Sequence, residues 1–181
     1  MARLVAYEYV TLDGVMEAPE DWQFPYVTDD VAELIQAQIL EADAILLGRT
    51  TYEIFAASWP SRTNNEFGIA DKLNSMPKFV VSKTLQRAEW HNSTLIKGDV
   101  AKAVAELKHQ LGGNIAIIGS GKLVAGLMQL AQIDEYRLMI HPVVLGSGQR
   151  LFPDGIHLSL RLIEARTFNS GVVLVRYGPA A

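Results

Sequence analysis

Three stretches of this chain repeat one arrangement: a short apolar run of strand type, then a glycine or serine, a hydroxyl residue and a basic one. They are Ala44–Thr51 (AILLGRTT), Lys78–Thr84 (KFVVSKT) and Ile115–Lys122 (IAIIGSGK). A continuous apolar run without polar alternation fits a strand covered on both faces, the condition inside a parallel sheet. The tails then fall outside the carboxyl ends of the strands, where open α/β sheets bind ligands. Small residues let a backbone come close to a ligand. Hydroxyls and main-chain N–H groups bond phosphate oxygens, and Arg or Lys supplies charge. One such tail can arise by chance. Three together imply a ligand carrying several phosphates, and so a nucleotide cofactor.

The rest of the chain supplies the partners such strands need. Leu4–Val10 reads as a strand, and residues 11–28, with Gly14, Pro19 and Pro25, read as a long loop of the kind that serves as a lid or binding loop. Asp29–Glu41 reads as a helix capped by Thr28 or Asp29, with Val31, Leu34, Ile35 and Ile39 on one face. Helices are also expected over 50–57, within 64–74, from Asp99 to the Gly112-Gly113 stop, and from 120 or 122 to about Ala131. Strands are expected over 94–96, 135–144, 158–168 and 172–177. The turn signal Asn169-Ser170-Gly171 makes the last two an antiparallel hairpin. Alternating strands and helices followed by a hairpin give an α/β class: a mixed, mostly parallel sheet flanked by helices, with a C-terminal antiparallel hairpin.

Composition narrows the function. A chain of 181 residues is expected to form one domain. Its net charge of −4 argues against general nucleic-acid binding, which demands a basic face. The basic residues at the strand ends are then free to meet one small polyanion. With no cysteine, disulfides, thiolate metal sites and a cysteine nucleophile are excluded. The four histidines, His91, His109, His141 and His157, lack metal-like spacing, so no metal is expected. His141, in an apolar strand, reads as a core group. No apolar run approaches the ~20 residues of a membrane span, and the first residues lack a signal-peptide core before Glu8. A cytoplasmic location is expected.

The Gly119-Ser120-Gly121-Lys122-Leu123 turn joins a buried strand to a helix, where free N–H groups and the helix dipole favour an anion. It matches neither common fingerprint. A dinucleotide GxGxxG needs glycine at Val124, and a P-loop needs glycine at Ala116 and Ser or Thr at Leu123. A tight β-to-α turn that merely needs glycine is the plain alternative. Likewise Arg49 can be a solvated side chain and Thr50 a helix cap, and Ser82-Lys83-Thr84 a polar strand end.

Taken in order, the segments Thr11-Leu12-Asp13-Gly14, Leu47–Glu53 (LGRTTYE), Val81–Thr84 (VSKT), Ile118–Gly121 (IGSG) and Pro142–Gly148 (PVVLGSG) resemble the dihydrofolate-reductase-like superfamily. The resemblance covers Leu4 to Tyr177. It is nearest to the reductase domain of the bifunctional riboflavin-biosynthesis deaminase-reductase and to its stand-alone relatives. It implies NADPH laid across the strand ends. Arg49 and Lys83 would face the adenosine end, where two cations suit a 2′-phosphate. Gly48, Thr50 and Ser82 would add contacts, and Gly119, Ser120, Gly121, Lys122 and Leu123 would cradle the pyrophosphate. On the substrate side the resemblance implies Asp13, Glu17 and Trp22 along the 11–28 loop; the proton would come from water, or from Asp13 or Glu17 through a water. Arg150 would reach a phosphorylated ribose chain.

Trp22-Gln23-Phe24-Pro25 is similar to the Trp-x-x-Pro segment of true dihydrofolate reductases, which carry a buried acid soon after it. Here Asp29 and Asp30 come two or three residues later, at a helix start, where capping also accounts for them. The expected activity is an NADPH-dependent reductase acting on a pyrimidine- or pteridine-type small molecule. A dihydrofolate-reductase-type activity and a nucleotide-binding module without turnover stay open. A homodimer is expected, because the terminal hairpin offers an edge strand that needs covering.

Overall fold

Leu4, Val5, Ile45, Leu46, Ala116 and Ile117 are closed off from solvent, as strands covered on both faces require. The computed structural model describes residues 1–180. The strands are β1 (Arg3–Thr11), β2 (Ala42–Gly48), β3 (Lys78–Val81), β4 (Ser93–Ile96), β5 (Asn114–Ile118), β6 (Glu135–His141), β7 (Leu160–Thr167) and β8 (Val173–Pro179). The helices are α1 (Asp29–Glu41), α2 (Arg49–Ser58), α3 (Ala70–Ser75), α4 (Val100–Gln110) and α5 (Gly121–Gln129). The fold is α/β. One eight-stranded sheet runs in the order β4-β3-β2-β5-β1-β6-β8-β7. All pairings from β4 to β6 are parallel, and β8 is antiparallel to both β6 and β7. The mostly parallel sheet with a terminal antiparallel hairpin is therefore as expected. The hairpin's second strand, β8, lies inside, which leaves β7 as the edge.

Alternation along β1 sorts the layers. Leu4 and Ala6 pack with Val104 and Leu107 of α4 and Val124 and Leu127 of α5. Val5 and Tyr7 face the other way, with Ile39 of α1, Tyr52 of α2 and Leu73 of α3. Hence α1–α3 cover one face and α4–α5 the other. The chain leaves β1 toward one face and the neighbouring strand β5 toward the opposite face. That is a topological switch point, and it opens a crevice at the carboxyl ends of β1 and β5.

Local signals explain most boundaries. Asp99 caps α4 by accepting the Lys102 N–H at 3.0 Å. Thr28 holds the cap position of α1 but makes no capping bond; its hydroxyl donates to Asp30 instead. β6 stops at His141 because Pro142 has no N–H for the ladder. The 11–28 segment is more ordered than a plain loop. Two short 3₁₀ turns occupy 19–21 and 24–26, each with a proline near its start, where the missing N–H is harmless. No helix among the described residues is long and apolar enough to cross a membrane.

Candidate functional site

The three tails meet at one edge of the sheet because β3, β2 and β5 are neighbours. Ser120 ties two of them. Its Oγ accepts the Gly48 N–H at 2.9 Å and lies 2.9 Å from Thr51 Oγ1, bridging β5 to the start of α2. The packing there is tight: a Cβ on Gly48 would stand 3.3 Å from Ser120 Cβ. Arg49 ties the third. Its guanidinium donates to Thr84 Oγ1 at 2.7 Å and to Glu53 Oε1 at 2.8 Å, an exposed i,i+4 pair. Ser82 is buried, and its Oγ accepts the N–H groups of Thr84 and Leu85, which fixes the turn after β3. Lys83 and Thr50 are exposed at the same edge, and Lys83 has no ion-pair partner among the described residues.

The turn after β5 is built for close approach. Gly119 and Ser120 both adopt left-handed backbone, with φ of 60° and 62°. After this reversal the first amides of α5, Gly121 and Lys122, have no intrahelical acceptor. Leu123 N–H closes on Ser120 O at 2.8 Å, so its amide is taken.

The loops after β1 and β6 are zipped together beside this turn. Leu12 N–H donates to Val143 O, Met16 N–H to Gln149 O and Leu151 N–H to Gly14 O, and Val15 bridges Arg150. Two acids lock the zipper. Asp13 accepts from Thr11 Oγ1 at 2.6 Å and Gly146 N–H at 2.8 Å, and Glu17 accepts the Gln149 N–H at 2.9 Å. These bonds, the Thr11 hydroxyl first, hold the Asp13 carboxyl down to about 2. At neutral pH it is a carboxylate that braces the loop. The zipper abuts the β5 turn, because a Cβ on Gly121 would fall 2.3 Å from Gln149 Nε2 and 2.8 Å from Met16 Sδ. Lys122 and Arg150 line a groove of about 500 Å³ together with Gly121, Gly146 and Asp154. A larger groove, about 1010 Å³, runs between Tyr52, Asn74, Leu85 and Trp90, and none of the sequence-expected site residues lines it.

Trp22 is buried, donates Nε1–H to Glu17 O at 2.9 Å and packs edge-on against His141, which Tyr9 and Tyr26 also flank. Burial pulls the His141 pKa down, and Nδ1 lies 2.9 Å from the Met139 carbonyl, so a neutral ring donates there. Asp29 is exposed on the first turn of α1. No cluster of His, Asp and Glu that could hold a metal ion occurs among the described residues. Sequence reasoning passed over Glu8. This acid lies on central strand β1, is 2% exposed, and has a pKa pushed well above the carboxylate range by burial. Its place in the alternation, between Ala6 and Val10, was the available signal.

A family model for the RibD C-terminal domain matches residues 3–174. The uncharacterised protein YyaP of Bacillus subtilis strain 168 is 30% identical over 181 residues, covering 97% of this chain and 94% of its own. A Shewanella sp. PV-4 protein named for riboflavin biosynthesis superposes with a TM-score of 0.79 at 22% identity, over the full length of both chains. The Thermotoga maritima diaminohydroxyphosphoribosylaminopyrimidine deaminase/5-amino-6-(5-phosphoribosylamino)uracil reductase superposes with a TM-score of 0.68 at 12% identity; this chain matches 57% of its length. Motif order, sheet topology and the match over nearly the whole chain agree: the chain belongs to the RibD C-terminal domain family, with the fold of the riboflavin-pathway reductases.

Proposed function

We propose that the protein is an NADPH-dependent reductase that delivers a hydride to a pyrimidine- or pteridine-type small molecule. The observation that carries this reading is the stitching of three strand-end turns into one ledge by Ser120 and Arg49. The residues present fit a phosphorylated dinucleotide. Glycine at 48, 119 and 121 lets the turns and the neighbouring loop pack closely around the ledge, the amides of Gly121 and Lys122 have no intrahelical acceptor, and Arg49 and Lys83 supply two cations for a 2′-phosphate. Bound there, a reduced nicotinamide supplies the hydride, and catalysis by the protein is then mainly positioning and electrostatics.

In this reading Ser82 and Ser120 spend their hydroxyls on shaping the ledge, while Thr50 offers a free one. Asp13 and Glu17 hold the zipped loops against Gly121 and so set the wall between cofactor and substrate. The proton for the substrate comes through water ordered beside them. Trp22 forms the floor on the α1 side. Lys122 and Arg150 share the groove where a phosphorylated substrate arm would lie. Folate reduction fits less well, since Asp29 is solvent-facing and Asp30 is tied to Thr28 and the Val31 amide.

Fluorescence titration of the purified protein with NADPH and NADH tests the cofactor. Saturable binding with preference for NADPH is expected, and Arg49→Ala or Lys83→Ala should weaken NADPH more than NADH. No saturable binding of either would overturn the reading. Oxidation of NADPH above the substrate-free rate with an aminouracil, pterin or dihydrofolate panel would establish turnover; binding without any oxidation would make the protein a nucleotide-binding module.

A further inference from the structure

Glu8 stands on β1 between Ala6 and Val10, so its side chain enters the face covered by α5. It lies one residue past the Tyr7–Ile118 pair, which sets it beside Gly119 at the switch point between β1 and β5. Opposite it on β6 is Leu138. The side chain is 2% exposed, and its Oε1 is sealed from solvent with no hydrogen-bond partner among the described residues. Apolar residues would fill this position at no electrostatic cost, so a buried acid with an idle oxygen calls for a reason.

The ionisable side chains that face this side are Tyr136 on β6, Glu17 and Asp13 on the loop after β1, Lys122 on α5, and Arg150 and Asp154 on the loop after β6; Glu135 and Arg137 of β6 lie on the opposite face. Tyr9 and His141 point to the other side of the sheet. None of them bonds to Glu8, and no side-chain charge offsets its own. Burial raises its pKa, and the Gly119 backbone N–H is the group that works in the opposite direction. The Gly119 amide belongs to the turn that carries Ser120 and the first amides of α5.

We propose that Glu8 is a positioning residue for the diphosphate turn: from within the sheet it steadies the Gly119 amide, and an anion binds at 119–122 only while its carboxyl is neutral. This inference rests on reading that turn as the diphosphate site. A charge on Glu8 would face the ligand's charges through protein rather than water, where repulsion is strong. By linkage, ligand binding and Glu8 ionisation then oppose each other to the same extent. Anion affinity at this turn then falls as Glu8 ionises.

The test compares wild type with Glu8→Gln, which keeps the shape and stays neutral. NADP⁺ and inorganic pyrophosphate are titrated by calorimetry from pH 6 to 9. Each probe's own ionisation is the same for both proteins, so the ratio of dissociation constants isolates Glu8. The ratio should stay near one while Glu8 is protonated and rise by as much as tenfold per pH unit once it ionises. A flat ratio with clear binding overturns the role of Glu8 and leaves the cofactor reading intact. No binding of either probe to either protein removes both.

If the variant fails to fold, the ligand-free wild type decides by NMR. The Gly119 amide resonance should titrate with the same midpoint as the Glu8 carboxyl carbon, and an amide that ignores that midpoint refutes the proposal.

Discussion

Glu135 and Glu8 are both buried glutamates, yet their surroundings shift their pKa values in opposite directions. Glu135, at 0% exposure, accepts from Arg3, from Arg137 Nε at 2.6 Å and from Arg176 Nε at 2.7 Å. Burial alone would raise its pKa, but the bonds from Arg176 and Arg137 outweigh that and hold it at about 2. Its stabilising effect is present above the unfolded value of about 4.3 and is lost as pH falls through 2. Glu135→Gln should cost about 3–5 kcal/mol, because Arg137 stays buried with one partner fewer; urea denaturation at pH 7 reads this directly. Glu8 has the reverse sign. Its native pKa lies above its unfolded value, so it opposes folding increasingly as pH rises from about 4.3 to that native value, at up to ~1.4 kcal/mol per pH unit. Wild type should therefore lose melting temperature over that range relative to Glu8→Gln, and parallel melting curves would contradict it. Neither behaviour was legible in sequence. A glutamate in a strand looks the same whether three arginines or a leucine-lined face awaits it: Arg137 is two residues from Glu135, but Arg3 and Arg176, like the strands around Glu8, come from distant parts of the chain.

Among the elements, the turns at the strand ends show what a pattern conveys and what it hides. The runs 44–47, 78–81 and 115–118 were readable as parallel strands because coverage on both faces leaves no polar alternation. Their convergence followed once β3, β2 and β5 proved to be neighbours. The hidden part was the use of the hydroxyls. Ser120 reads as part of the turn expected to cradle the pyrophosphate, and its oxygen also bridges Gly48 to Thr51. Ser120→Ala should leave the part-buried Gly48 N–H without its acceptor, at a cost of about 1–3 kcal/mol. It should also weaken NADPH binding by letting the two turns part. Denaturation and fluorescence titration of the same variant check both. Gly119→Ala should lose about 1 kcal/mol or more from its φ of 60°, since the added Cβ would stand an ordinary 3.4 Å from Thr51 Oγ1 and strain, not a clash, sets the penalty. The order in the 11–28 segment was missed for a related reason. Its bonds run to residues 143–151, over a hundred positions away, and short-range signals reported only its prolines and glycine.

On the scale of the whole molecule, the alternation of strands and helices sufficed for the class and the layers, and the strand order did not follow from it. That β8 inserts between β6 and β7 decides which edge is open. On β7, exposed along most of its length, Leu162 and Ile163 are both substantially exposed, beside a register shift between Leu162 and Glu164. An uncovered apolar edge invites a second copy. Light scattering at micromolar concentration should give a dimer mass, and Leu162→Lys should shift it toward the monomer; a monomeric wild type would refute the expectation. The fold places one ledge across the ends of β3, β2 and β5, beside the switch point, and the enzymatic account depends on what lies there. A crystal structure of the protein soaked with NADPH tests it most directly. The account predicts the diphosphate against the Gly121 and Lys122 amides and the 2′-phosphate between Arg49 and Lys83. A cofactor seated elsewhere, such as the groove between Tyr52 and Trp90, or an empty ledge at saturating NADPH, would contradict it.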